Sequence, residues 1–312
     1  MEYLHRELYQ LDKSIGYQYH PRCKTLGITH VCFADELLLF CKAEVKSIQI
    51  LHDAFTRFSK VLGLQANTEK SCIYMTGVKP RVKQEILGHL GYQEGELPFK
   101  YLGVPLSSKK LTVAQCLPIV EKIAARIRCW SAKLLSYAGR TQLIRSVIFG
   151  IQTYWGHIFL LPKRILKMIE SICRTYLWTG NTLNSKKSLI SWAKLCSPKV
   201  AGQNIINMAL WNQAAILKLL WVVTEEKERL WIKWLQVYYM KGQSVEVCSI
   251  PTNATWVLKK IVEVRKSILN AQHLQVDLKS RLALMIHNGR FSIKKMYINL
   301  LPIYQKMPWK NI

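Results

Sequence analysis

Two adjacent carboxylates, Asp35 and Glu36, stand between two short apolar runs at residues 25–33 and 37–41. A tight hairpin favours Asn-Gly or Asp-Gly at its turn, and like charges side by side repel. Something must compensate that repulsion. Hard carboxylate oxygens suit Mg²⁺, so a divalent cation is one answer, with Asp35 and Glu36 as its ligands. An exposed acidic turn is the other, and the two residues alone leave both open. The one close His/Cys cluster is His20, Cys23, His30 and Cys32. His-x-Cys spacing on a strand sets both side chains on one face without converging four ligands, so no zinc site is predicted.

The elements that would position these residues are legible as patterns. Residues 1–15 read as helix, and 25–33 and 37–41 as two strands of a hairpin around the acidic pair. An amphipathic helix follows over 44–62, with Ile48, Leu51, Phe55, Phe58 and Leu62 at helical spacing. A strand at 71–75, a helix at 81–90, a turn-rich stretch at 91–98 and a strand-like run at 99–104 complete this part. From Leu111 onward the pattern is helical. Ser136 is placed to cap one helix, and further helices are expected at 165–178, 209–223, 230–240 and 255–269, with loops at 180–187 and 196–203. Residues 242–252 read as a linker, Asn288-Gly289 as a tight turn, and a last helix begins after Ser292.

Charge separates these regions. The chain carries 45 Lys+Arg against 19 Asp+Glu, a formal +26 in 312 residues. Residues 1–77 are nearly balanced, whereas 78–200 hold 20 basic and 5 acidic side chains and 201–312 hold 16 and 6. Between Leu97 and Thr224 the only acids are Glu121 and Glu170. Such a stretch cannot neutralise itself by internal pairing and presents a positive field, which points to a polyanionic partner. Nucleic acid is preferred to an anionic membrane surface. Lys122, Arg126, Arg128, Lys133 and Arg140 would make phosphate contacts that ignore sequence and weaken with salt. Half the residues are apolar and ten are Trp, a globular composition whose tryptophans recur with Leu and Ile at core spacing. Nine cysteines without a C-x-x-C pair, behind a start too charged for a secretory signal, imply a reducing intracellular compartment, nucleus or cytoplasm. The uncharged stretch 146–162 is short for a membrane span.

The words around the acidic pair narrow the choice. His20-Pro21-Arg22-Cys23 and Leu26-Gly27-Ile28-Thr29-His30-Val31-Cys32-Phe33-Ala34-Asp35-Glu36 resemble the palm of plant LINE-type (non-LTR) retrotransposon reverse transcriptases, where Phe-Ala-Asp-Asp is the catalytic hairpin. The similarity continues through Gly63-Leu64-Gln65-Ala66-Asn67-Thr68-Glu69-Lys70-Ser71 and Leu97-Pro98-Phe99-Lys100-Tyr101-Leu102-Gly103-Val104-Pro105-Leu106. It extends to Leu135-Ser136-Tyr137-Ala138-Gly139-Arg140, to Trp155 through Lys163, and to Arg290-Phe291-Ser292-Ile293-Lys294. These matches follow family order along nearly the whole chain.

The resemblance implies an α+β fold: a partial polymerase palm at 1–110, a basic helical thumb and connection at 111–241, and a linker with the opening of a zinc-binding region at 242–312. Asp35 would be a catalytic carboxylate and Mg²⁺ ligand. Glu36 departs from the family's second Asp by one methylene, which moves its oxygens away from a geometry tuned to Asp. Lys70 would lie near the incoming triphosphate, and the segment from Phe99 to Leu106, with Lys100, would grip the primer end. The family's other catalytic aspartate, its fingers and its template segment belong upstream of these matches, and its zinc ligands downstream. The expectation is a degenerate RNA-directed DNA polymerase fragment, without productive Mg²⁺ binding and not competent alone. The alternatives are a non-catalytic, sequence-nonspecific RNA- or DNA-binding protein, or a remnant without function. Oligomeric state is not legible.

Overall fold

Leu4, Leu8 and Leu11 recur at helical spacing, and they line the buried face of α1 (Glu2–Tyr9) and of the 3-10 turn Gln10–Lys13 that extends it. They meet Leu51, Ala54 and Phe58 of α2 (Val45–Leu62), which ends at Gly63 in the left-handed conformation. Each such side chain contributes roughly 1.5–3 kcal/mol from leaving water, before its loss of rotamer freedom is set against it. In this computed structural model, residues 2–107, 109–131, 135–181, 189–198, 202–252, 254–270 and 278–302 are described. The chain forms two units: Met1–Ser107 together with Lys233–Lys241, and Ser108–Ile232 together with Gly242–Ile312.

In the first unit β1 (His30–Phe33) and β2 (Glu36–Leu39) pair antiparallel, with Phe33 opposite Glu36 and the loop Ala34-Asp35 between them. Side chains alternate along a strand, so Leu37 and Leu39 share one face, and both pack on the α1–α2 core. The hairpin is thereby seated on the helices by one face. The strand expected from residue 25 begins only at His30. Lys24–Leu26 is a 3-10 turn, Gly27 follows at φ 60°, and the Ile28 N–H bonds back to the Cys23 carbonyl, so these residues cannot be extended.

Further along, β3 (Cys72–Ile73) and β4 (Gln93–Glu94) pair in parallel across α3 (Pro80–Leu90), the crossover that a parallel pair requires. Proline at the first helical position and Gly91 at the C-terminal cap set the ends of α3. The expected single strand at 99–104 is instead a second hairpin, β5 (Phe99–Tyr101) with β6 (Val104–Leu106). Leu102 and Gly103 at φ 50° and 76° turn the chain there. Two successive positive-φ residues form the turn whose twist suits a two-residue hairpin loop.

The second unit is helical, and α9 (Met208–Glu225) organises it. Met208, Ala214, Ile216, Leu217, Leu220 and Val223 are buried around its circumference, the mark of a central helix. Around it lie α6 (Phe149–Ile158), α7 (Lys163–Thr179), α11 (Trp256–Asn270), α12 (Leu278–Ala283) and α13 (Ile293–Leu300). Asn212, buried in α9, ties the end of α6. Its Nδ2 donates to the carbonyls of Gly156 at 2.6 Å and Phe159 at 2.7 Å, and its Oδ1 accepts the Leu161 N–H at 2.7 Å. Against α7 pack α4 (Val113–Ser131) and α5 (Tyr137–Leu143), the latter capped by Ser136 Oγ on the Gly139 N–H. A π-helical turn, Ile144–Ile148, joins α5 to α6. Short α8 (Trp192–Leu195) precedes α9, and β7 (Ile286–His287) pairs with β8 (Arg290–Phe291) around the expected Asn288-Gly289 turn. Ser292 then caps α13. The two expected loops lie partly outside the described residues.

Candidate functional site

Asp35 sits exposed at the tip of the β1–β2 hairpin, preceded by Ala34 at φ 51°. A residue with a Cβ is disfavoured there, and backbone strain of this kind concentrates where a side chain must be aimed. Glu36 opens β2 on the face opposite Leu37, away from the helical core. Its Oε2 accepts the backbone N–H of Leu102 at 2.9 Å, so one turn of chain reaches the other across 66 positions of sequence. Burial, then the nearby Glu36 and Cys32, raise the Tyr101 phenol above its ordinary range, which agrees with that proximity.

The loop after α2 is shaped by Asn67. Its Oδ1 accepts the Lys70 N–H at 3.1 Å, and its carbonyl accepts the Ser71 hydroxyl at 2.8 Å. This side-chain turn presents Lys70 exposed to solvent. Lys100 is exposed on β5 opposite Pro105. Among the described residues, no hydrogen bond or ion pair joins Lys70 or Lys100 to Asp35 or Glu36.

His20 and Cys23 approach one another, with Sγ and Nδ1 at 3.8 Å, and His20 Nδ1 accepts the Arg22 N–H. On β1, the His30 ring lies 5.4 Å from that of His5 and its Nδ1 is 3.0 Å from Thr29 Oγ1. Burial lowers the affinity of both His20 and His30 for a proton, with Arg22 adding to the effect at His20 and His5 at His30. Among the described residues, no group of three or more His, Cys, Asp or Glu side chains could hold a metal ion. Asp35 and Glu36 are the acidic side chains that the resemblance assigns to magnesium. Glu36 is turned to a backbone N–H and no third acidic side chain joins the pair among the described residues.

Between these parts, Arg22 is caged by the returning segment. The end of α10 (Leu230–Leu235) and the π-helical turn Gln236–Met240 bring Trp234, Tyr238 and Tyr239 to it. Its guanidinium lies 5.7 and 5.4 Å from the two tyrosine rings, Tyr239 accepts its Nη1–H at 3.2 Å, and Trp234 Nε1 donates to its carbonyl at 2.9 Å. Cation–π contact and hydrogen bonding together fix the His20–Cys23 turn.

In the second unit Lys122, Arg126 and Arg128 are all exposed on α4, the first two one helical turn apart, while Cys116, Ile119, Val120, Ile123 and Ile127 are buried. The basic stripe is thus the solvent side of an amphipathic helix. Arg140 is half-buried instead, its Nη1 reaching the Tyr176 carbonyl at 3.5 Å near the end of α7. Arg265 is buried, donating to the carbonyls of Val245 and Cys248. Those two cations serve helix and loop ends. Lys133 lies outside the described residues. No described Trp is exposed, so the described tryptophans are packing groups, as their spacing implied.

An acidic residue at the tip of a short antiparallel hairpin, with a second acid opening the next strand, in an α+β unit of a strongly basic chain, is the arrangement that the sequence motifs assign to a reverse-transcriptase palm. Residues 3–106, a third of the chain, match the family described as reverse transcriptase (RNA-dependent DNA polymerase). A putative ribonuclease H protein of Arabidopsis thaliana is 33% identical over 141 residues, 45% of this chain and 23% of that protein. An uncharacterized mitochondrial protein of the same plant is 24% identical over 119 residues, 38% of this chain and 77% of that protein. The chain therefore spans about a quarter of the first relative's length. None of the described helices is long and apolar enough to cross a membrane.

Proposed function

We propose that this chain is a degenerate fragment of a LINE-type retrotransposon RNA-directed DNA polymerase, one that does not polymerise alone and whose remaining capacity is sequence-nonspecific binding of RNA or DNA. The observation that carries the lineage is the Asp35 hairpin inside the segment that matches the reverse-transcriptase family. The inactivity is supported by the donor set: one carboxylate at the turn is unengaged by the neighbouring hairpin, and the other is not. Template copying needs two cations held by several oxygens, to activate the attacking hydroxyl and to stabilise the leaving oxygen. The binding is supported by the exposed cations of α4. Phosphate contacts of this kind release counterions and carry no base information.

Fluorescence anisotropy with labelled single-stranded RNA and duplex DNA tests the binding. Affinity falls with added salt, and replacing Lys122, Arg126 and Arg128 together by Glu flattens the slope of log affinity against log salt by about 2 to 3. Affinity indifferent to salt, or untouched by the triple change, refutes the interface. Primer extension on an RNA template with Mg²⁺ or Mn²⁺ tests the inactivity, and Asp35-dependent synthesis overturns it.

A further inference from the structure

The acidic turn of β1–β2 and the Leu102-Gly103 turn of β5–β6 are joined through the Leu102 N–H on Glu36 Oε2 at 2.9 Å. Leu102 holds φ 50°, a conformation that a branched, apolar side chain disfavours. A charged acceptor on that N–H favours the turned conformation over the extended one. The length of the side chain is what permits the contact. An aspartate at position 36 would fall short by one carbon–carbon bond, roughly 1.5 Å, leaving its oxygen about 4 Å from the Leu102 nitrogen, outside hydrogen-bonding range.

We propose that Glu36 is a clasp between the two hairpins: its carboxylate holds the β5–β6 turn in place, with Oε2 engaged by the Leu102 N–H and so not free for a cation. The inference stands on the geometry of the hairpins and does not depend on the nucleic-acid reading. It gives the one departure from the Phe-Ala-Asp-Asp pattern a structural role, in which the added methylene converts a candidate ligand into a tether. Asp35, at the exposed tip, takes no part in it.

Amide hydrogen exchange at Leu102, measured in the full chain, tests the clasp. Glu36→Gln keeps an acceptor of the same reach and holds Leu102 exchange within about twofold of the unsubstituted chain. Glu36→Ala and Glu36→Asp lose the contact and speed exchange at Leu102 roughly fivefold or more. The amides of Leu51 and Phe58 in the α2 core stay unchanged in all three, which separates release of the turn from loss of the fold. Millimolar MgCl₂ leaves Leu102 exchange in the unsubstituted chain as it was. Exchange in Glu36→Ala or Glu36→Asp equal to that of the unsubstituted chain overturns the proposal. So does faster exchange on adding MgCl₂, because the cation would then have taken Glu36 from the turn.

Discussion

Asn212 offers the sharpest test of how the helical unit is held together. Its amide closes three backbone groups at the end of α6: the carbonyls of Gly156 and Phe159 and the N–H of Leu161, at 2.6 to 2.7 Å. The residue is 1% exposed, so water does not replace it without local opening. Asn212→Ala strands two acceptors and one donor, each costing about 1–3 kcal/mol when left unmade in the interior. Allowing for partial relaxation, the expected loss is about 3–5 kcal/mol, a large share of a typical domain's stability. Asn212→Asp is the more telling change. It keeps an oxygen for the Leu161 N–H but sets a carboxylate against two carbonyl oxygens, so it destabilises at least as much as the alanine despite near-identical volume. Native-state hydrogen exchange at Ile216 and Leu217, both buried in α9, reads the opening free energy of this unit by itself. Acceleration on the order of a thousandfold is expected for either variant. A change below about 1 kcal/mol for Asn212→Ala, or an Asn212→Asp protein as stable as the parent, would falsify the claim that these three bonds are what Asn212 is buried for.

Two further perturbations address the first unit. Ala34 sits exposed at φ 51°, and Ala34→Gly relieves the left-handed strain without removing a contact; a gain of about 0.5–1 kcal/mol in urea unfolding is expected, and a loss would show that the Ala34 side chain has a packing role. His30 binds its proton less readily in the fold, through burial and then the adjacent His5. Its contribution is therefore present above the ordinary histidine value near 6.5 and is lost as pH falls through the lower folded value. Stability of the first unit declines as pH falls below about 6.5, and His30→Gln lessens that decline; an unchanged pH profile in the variant refutes the assignment.

What the sequence reveals is local. The β1–β2 hairpin, the amphipathic α2, the Ser136 and Ser292 caps and the Asn288-Gly289 turn each depend on residues within a few positions of one another, so periodicity and turn chemistry find them. The Leu102-Gly103 turn escapes because Leu is not a turn residue, and only the following Gly hints at a reversal within an apolar run. Long-range polar pairing leaves no pattern at all. Glu36 finds Leu102 across 66 positions, Arg140 finds the Tyr176 carbonyl across 36, and Asn212 finds Gly156 across 56. Arg140 reads as a phosphate contact by charge alone, yet its guanidinium reaches a helix end. The acidic residues of the candidate site are legible in the chain, whereas the partner that occupies one of them is legible only in three dimensions.

The return of Lys233–Lys241 to the first unit sets an order of events during synthesis. The 125 residues of Ser108–Ile232 must be made before Trp234, Tyr238 and Tyr239 exist to enclose Arg22. At roughly 5–20 residues per second, making that stretch alone keeps the His20–Cys23 turn waiting on the order of 6–25 s on the ribosome for its aromatic cover. Throughout that interval the α1–α2 core and both hairpins can already form from contiguous sequence, while the guanidinium stays open to solvent and to any anion that reaches it. The nascent chain thus passes through a half-closed stage, and a ribosome paused before residue 234 would hold it there.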